Sequence, residues 1–491
     1  MGCHLIGIGG TGAKTVEAVT TLCAAGLGPP DLSVMFLDPD TANGNIERSS
    51  QVFGAYGKCR EAADGLSWGE TTLLRTVLSG GDVVTPFRDE LAPTLSEWLK
   101  YDTLRVEQPA VANLLEVLYT EQERETKLEK GFRGHPSIGS AIMAGQMGFQ
   151  TTPEFQRLQE QVQQDIGNGH SSTIVLVGSI FGGTGAAGFP TVARMLREEF
   201  ADHAGGAVRI GGVLILPYFS FAPEGQRDEM AAKSSEFLLS TQAALEFYDQ
   251  SEYQDHYDQL YVIGDTDQSQ VESYAIGASE QKNDPHFIEL YGALAAIDFL
   301  TGTAQGPADK VAMVARHDPA RIEWTDLPGG SQAKQSLGQL VRFAVAFTKF
   351  YHPLIQDIRQ RGNAYRAPWF HDLITKASVN SDDQDTTDLL DRLNTVCEHT
   401  LDWTRRLQGS SGEHRVVELF DDTTFFAKSE NADDFDPRRF AELVRPEKSD
   451  RHTMDGVWEA LCASKYQPTK TGANGIGVFL RALYDVCGAS D

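Results

Sequence analysis

Two glycine turns constrain this chain more than any other feature, because each follows an apolar, strand-like run and opens a helix-like one. The first, Gly7-Ile-Gly9-Gly10-Thr11-Gly12-Ala-Lys14, ends the run His4–Ile8. The second, Gly178-Ser-Ile-Phe181-Gly182-Gly183-Thr184-Gly185, ends the run Ser172–Gly178. Glycine lets the backbone turn sharply and approach a phosphate, and the helix that follows offers unpaired N–H groups and a positive dipole end. The first turn alone reads as GxGxxG at Gly7, Gly9 and Gly12, with Asp38 and Asp40 after the next strand. That pattern also suits a dinucleotide fold or a plain structural turn. The spacing of a Walker A loop is absent. A second phosphate turn on a later strand is superfluous for a dinucleotide and useful for a nucleoside triphosphate gripped from two sides.

Around these turns, strand-like and helix-like runs alternate to about residue 305. Strands are expected at His4–Ile8, Leu32–Leu37, Ser172–Gly178, Val208–Leu216 and Gln259–Ile263. Helices are expected at Lys14–Ala25, Ile138–Met147, Pro153–Ile166, Gly188–Phe200, Glu229–Tyr248 and Pro285–Leu300. Residues 41–130 read as helical pieces, Asp89–Lys100 and Ala110–Glu123, with one short strand near their end. Nearly all-apolar strands between helices predict an α/β domain, a parallel sheet with helices on both faces, over 1–305. Residues 306–491 read as a mostly helical C-terminal domain, with helices at Gln335–Tyr351, Trp369–Lys376, Thr387–Leu407, Pro437–Val444 and Met454–Ala463.

The 491 residues carry 42 Lys and Arg against 69 Asp and Glu, a net charge of −27. Such a surface disfavours nucleic acid, although a nucleotide needs only a local site. The six cysteines form no CxxC pair, which argues against a disulfide framework or zinc site. No run reaches the roughly 18 apolar residues of a membrane span and none reads as a signal-peptide core, so a cytoplasmic protein is expected.

Several blocks, in order, resemble the tubulin/FtsZ superfamily, as in a divergent bacterial tubulin-like protein. Leu5–Val16 resembles the first phosphate loop of FtsZ, with Lys14 where that family usually has Asn. Thr126–Gly139, through Gly134, His135 and Pro136, resembles the loop that runs toward the γ-phosphate. Gly182–Gly185 resembles the tubulin signature GGGTG(S/T)G, and Pro190–Ala193 continues the pattern. Gly212–Pro217 and Leu260–Ile263 resemble later strands, and Asn283–Phe287 resembles the segment where an Asn reads the guanine ring.

The resemblance implies GTP bound with Mg²⁺ through Gly9, Gly10, Thr11, Gly12, Lys14, Gly134, His135, Pro136, Gly182, Gly183, Thr184 and Gly185, with Asn283 on the base. Phe181 and Ala187 replace signature glycines. Lys14 supplies a point charge for phosphate or is a solvated helix-start lysine. Asp38 and Asp40 hold the metal or are acidic turn residues. Asn283 reads the base or caps the helix before Pro285. Catalysis in the superfamily uses acids inserted from a neighbouring subunit. A literal match to that pattern is Asn380-Ser-Asp382-Asp-Gln-Asp385, with Asp284–Glu289 and Asp326 as weaker candidates. Gln335–Tyr351 is either the central helix of such a fold or an ordinary core helix.

The implied activity is GTP binding with self-association and slow hydrolysis. The alternatives are a non-polymerising nucleotide switch or scaffold that holds a protein partner through its helical part, and, more remotely, a dinucleotide oxidoreductase.

Overall fold

The computed structural model describes residues 1–64, 71–87, 93–128, 131–132, 135–145, 152–203, 206–221, 234–250, 253–265, 268–271, 283–302, 310–314, 320–356, 366–379, 383–410, 416–420, 440, 443–444, 453–463 and 475–488. The chain opens with β1 (Gly2–Ile8), α1 (Gly9–Ala24), β2 (Asp31–Leu37), α2 (Gly44–Asp64) and β3 (Val77–Val84). Four short helices follow: α3 (Leu95–Trp98), α4 (Tyr101–Glu107), α5 (Pro109–Leu118) and α6 (Glu121–Glu125). Then come α7 (Pro136–Gly145), α8 (Pro153–Gly167), β4 (Ser172–Ser179), α9 (Gly183–Glu199), β5 (Val208–Ile215) and β6 (Phe219–Phe221). The order continues with α10 (Ser234–Gln250), β7 (Gln259–Ile263), β8 (Ser269–Val271), α11 (Phe287–Thr301) and β9 (Val311–Val314). The remainder holds β10 (Arg321–Ile322), α12 (Gly330–Val345), α13 (His352–Gln356), α14 (Pro368–Phe370), α15 (Gln384–Gln408), β11 (Val416–Val417), α16 (Met454–Cys462) and α17 (Gly475–Val486).

Seven strands form one sheet in the order β3-β2-β1-β4-β5-β7-β9, every pair parallel. β4 is buried along its whole length, as a central strand covered on both faces must be. α11 is buried on nearly all sides and lies against α1 and the central strands. It has no polar face, the mark of a helix inside a core rather than on it. α11, not the Gln335–Tyr351 helix, therefore occupies the central position. The latter is α12 continued by a π-helical stretch at Ala346–Tyr351, and it packs with α15 and α17.

Three differences from the sequence reading have physical causes. Both glycine turns already belong to helices: α1 starts at Gly9 rather than Lys14, and α9 at Gly183 rather than Gly188. Low glycine helix propensity is overridden there by packing that only glycine permits. Within 41–130 the principal elements are α2 and β3. Gly54 and Gly57 obscure the first, and Gly80 and Gly81, at φ +79° and +88°, obscure the second beside a bulge opposite Val34 and Met35. The sheet also continues past residue 305, because β9 is its last strand. Apolar side chains of the sheet and of the later helices join one continuous core. Among the described residues no helix is long and apolar enough to cross a membrane.

Candidate nucleotide site

The strand order reverses between β1 and β4. In open α/β sheets ligands lodge outside the carboxyl ends of the strands at such a point. Both glycine turns stand there, and they touch. A Cβ placed on Gly9, whose φ is +73°, would lie 3.3 Å from the Gly185 nitrogen and 3.4 Å from the Thr184 Cβ. One on Gly12 would meet the Gly7 carbon and the Val177 oxygen, each at 2.7 Å. One on Gly185 would sit 2.5 Å from the Ser179 oxygen. These contacts wedge α1 and α9 against β1 and β4. No side chain caps either helix at Ile8 or Gly182, so the first-turn N–H groups are not taken up by a capping side chain.

α7 packs against α9 beside the second turn. Pro136 opens α7, and a Cβ on Gly139 would strike the Ala187 Cβ at 2.7 Å and the Gly183 oxygen at 3.0 Å. Ala187, in place of a signature glycine, therefore packs on α7 at Gly139. His135 has its Nδ1 3.5 Å from the Glu123 carboxylate. Gly134 lies outside the described residues. Gly131, at φ +75°, passes close to Asp40. Phe181 turns its ring among Tyr218 and Phe219, with centroids 6.0 and 5.3 Å away, and is buried there.

Asp38 and Asp40 form the turn after β2. The Asp40 N–H donates to Asp38 Oδ1 at 2.9 Å, and the Ala42 N–H donates to Asp40 Oδ1 at 3.2 Å. Both carboxylates are buried. Burial pushes Asp38 up to about 8, with the Asp40 charge adding to the rise and the Asp40 N–H opposing it. Among the described residues no three His, Cys, Asp or Glu side chains gather into a metal site. Asn43 and Asn45 follow, each near the place a Gly10 side chain would occupy.

Behind the turns lie four buried charges on three helices. Lys14 Nζ is 2.5 Å from Glu289 Oε1, and Arg48 Nε is 2.8 Å from Glu17 Oε2. Burial lowers Lys14 and raises Glu17, and the partner charge opposes each shift. Tyr218 donates to Glu289 at 2.5 Å, and Glu289 Oε2 accepts the His286 N–H at 2.9 Å. Lys14 is thus buried and paired rather than solvated. Its ammonium is held by α11, because a buried cation needs an anion more than a helix start needs a lysine.

Asn283 sits beside this cluster. Its N–H donates to Asn45 Oδ1 at 2.9 Å, and its carbonyl accepts from Arg48 Nη1 at 2.6 Å. It does not cap α11. His286 does, through Nδ1, which accepts the Ile288 N–H at 3.2 Å. That leaves the proton on His286 Nε2, 2.9 Å from Ser269 Oγ, which in turn donates to the Ser410 carbonyl at 3.2 Å.

The acidic candidates are scattered. Asn380 and Asp382 lie outside the described residues. Asp385 is exposed in the first turn of α15, which Asp383 caps. Asp326 accepts the Glu323 N–H, Asp284 pairs with Arg406, and Glu289 is committed to Lys14. The sequence reading overlooked Asn43, Asn45, Arg48, Glu17 and Tyr218. The signal available was charge on the otherwise apolar helix α1. A separate cavity of about 520 Å³ opens at the other end of the strands, lined by residues such as Leu27, Asp31, Leu294 and Gln332, away from both turns.

No curated protein matches the chain. Among solved structures, one titled "CetZ2 from Haloferax volcanii - GTPgS bound protofilament" is similar at 16% identity and a TM-score of 0.28. The match covers 63% of this chain and 61% of that one, so the chain spans about three fifths of its length. A family model described as "Tubulin like" matches residues 5–286, which hold both glycine turns, the Thr126–Gly139 segment and Asn283. With a seven-stranded parallel sheet whose two glycine turns meet where the strand order reverses, the chain belongs to the tubulin-like family.

Proposed function

We propose that the crevice binds GTP with Mg²⁺. The observation that carries this reading is the contact of Gly9 with Thr184 and Gly185, which aims two uncapped helix starts at one volume. Gly9, Gly10, Thr11 and Gly12 clasp the phosphates from one side and Gly182, Gly183, Thr184 and Gly185 from the other. Gly134, His135 and Pro136 close over the γ-phosphate, and Asn283 meets the base. Lys14 serves the site indirectly, as a strut between α1 and α11.

Asp38 and Asp40 are the residues that would hold the metal. Their chemistry fits, because a hard cation takes carboxylate oxygens together with phosphates and water. Asp38 supports the fit: it is a buried carboxylate pushed up to about 8, with no cation beside it among the described residues. When bound, the ion supplies positive charge that neutralises the phosphate tail. Without it, Asp38 is protonated in the fold and ionised in the unfolded chain from about pH 4 upward. Stability is then lost as pH rises from about 4 through about 8, and Asp38→Asn removes that slope.

In this reading the protein self-associates, hydrolyses GTP slowly, and uses the helices beyond the sheet to hold a second copy or a protein partner. The switch reading draws support from Glu289, whose carboxylate is bound by Lys14 and is not available to a water. Titration with a fluorescent GTP analogue tests the core of the proposal. Uptake by the native protein and at least tenfold weaker binding by Gly9→Ala are expected, whereas no uptake overturns it. Light scattering with and without GTP separates assembly from switching.

A further inference from the structure

Arg48 is the feature of this site that neither the family pattern nor the phosphate turns account for. It stands on α2 and is 6% exposed. Its guanidinium is held from two sides, by Glu17 on Nε and by the Asn283 carbonyl on Nη1. Among the described residues Nη2 has no hydrogen-bond partner. A buried donor without a partner loses its hydration and gains nothing in return, so such groups are rare and each asks for a missing acceptor. Nη2 shares a carbon with Nη1, which donates to the Asn283 carbonyl, and the Asn283 N–H in turn donates to Asn45; the proposed function puts the base at this end of the crevice.

We propose that Arg48 selects guanine over adenine, an inference that rests on the crevice being a nucleotide site. Nη2 donates to the ring edge of the bound base. Guanine offers two acceptors along that edge, O6 and N7, whereas adenine puts an amino donor in the place of O6. A guanidinium can only donate, so it pairs with the first edge and is opposed by the second. Glu17 and the Asn283 carbonyl fix the plane of the fork before ligand arrives, which keeps the ordering cost of binding low. The charge of Arg48 is already neutralised by Glu17. Its contribution is therefore directional, and it acts on base identity more than on phosphate affinity.

Competition against a fluorescent GTP analogue tests this on the full chain, with GTP, ATP, inosine triphosphate and 2-aminopurine riboside triphosphate as competitors. The native protein is expected to bind inosine triphosphate, which keeps O6 and N7, within a fewfold of GTP. It is expected to bind 2-aminopurine riboside triphosphate and ATP at least tenfold more weakly. Equal binding of GTP and the 2-aminopurine compound overturns the proposal, and this arm needs no variant. In the second arm, Glu17→Gln with Arg48→Gln removes both charges together and leaves no unpaired ion. The preference for GTP over ATP is expected to fall at least tenfold. An unchanged ratio in a variant that melts like the native protein makes Arg48 structural only and overturns the proposal. If no nucleotide of any kind binds the native protein, the failure belongs to the nucleotide reading itself.

Discussion

The two glycine turns are alike in outline and opposite in how their helices are fastened. α1 is tied by charge: Lys14 to Glu289 on α11, and Glu17 to Arg48 on α2, all within its first three turns. In its first turns α9 is tied without charge, and its ion pair to another element, Arg197 with Asp258 at 3.0 Å, lies in its last turn and is partly exposed. Phe189 stacks on Tyr257 at 5.1 Å, and Ala187 abuts Gly139. Pro190 inside α9 has no N–H for the Ala186 carbonyl four residues back, and Tyr248 donates its hydroxyl to that carbonyl at 2.9 Å. Apolar packing holds a helix at a depth and tolerates small slips. Buried ion pairs hold it in one rotation, and they punish the loss of either partner. The first turn is thus fixed in angle and the second in depth, as suits a clasp with one precise jaw and one broad one.

Breaking the charged side is the largest test. Lys14→Met strands Glu289 in the core and is expected to cost about 3–5 kcal/mol in urea unfolding, whereas Lys14→Met with Glu289→Gln, which keeps acceptors for Tyr218 and the His286 N–H, recovers most of it. Equal losses in the single and double variants would show that the pair is not what holds α1. Next comes overpacking of the second turn. Gly185→Ala forces a methyl onto the Ser179 backbone and is expected to cost about 1–3 kcal/mol, and to weaken nucleotide binding more than it lowers stability. Tyr248→Phe orphans the Ala186 carbonyl, with an expected loss of about 1 kcal/mol, read by thermal melting at unchanged helix content. The smallest effect is at Asp385. An exposed first-turn carboxylate changes stability by no more than about 0.5 kcal/mol when made Asn. If the same variant abolishes phosphate release from GTP by assembled protein, the Asn380–Asp385 segment is the catalytic loop after all.

What could be read from sequence follows the range over which each feature is determined. β1 and β4 are legible because continuous apolar runs ending in glycine are local, and the meeting of the two turns follows from parallel order once both strands are assigned. The fate of Lys14 is not legible, since its partner Glu289 lies on a helix almost the whole domain away in sequence. Arg48 and Asn45 become informative only when α2 is laid beside Asn283, and α2 itself is masked by Gly54 and Gly57. β9 is four residues long and joins the sheet by its edge alone, too little to stand out against helical neighbours. α17 is absent from the expected helices because Gly475 and Gly477 weaken the local helical pattern, and its apolar face shows only against the core.

The quartet of Lys14, Glu17, Arg48 and Glu289 also limits how this protein can vary over generations. Any one of the four altered alone leaves a stranded ion in the interior, so descendants that keep the fold inherit the couples intact or exchange both members of a couple together. Sequences of relatives should show positions 14 and 289 changing in step, and likewise 17 and 48, while the surfaces of the same helices drift freely.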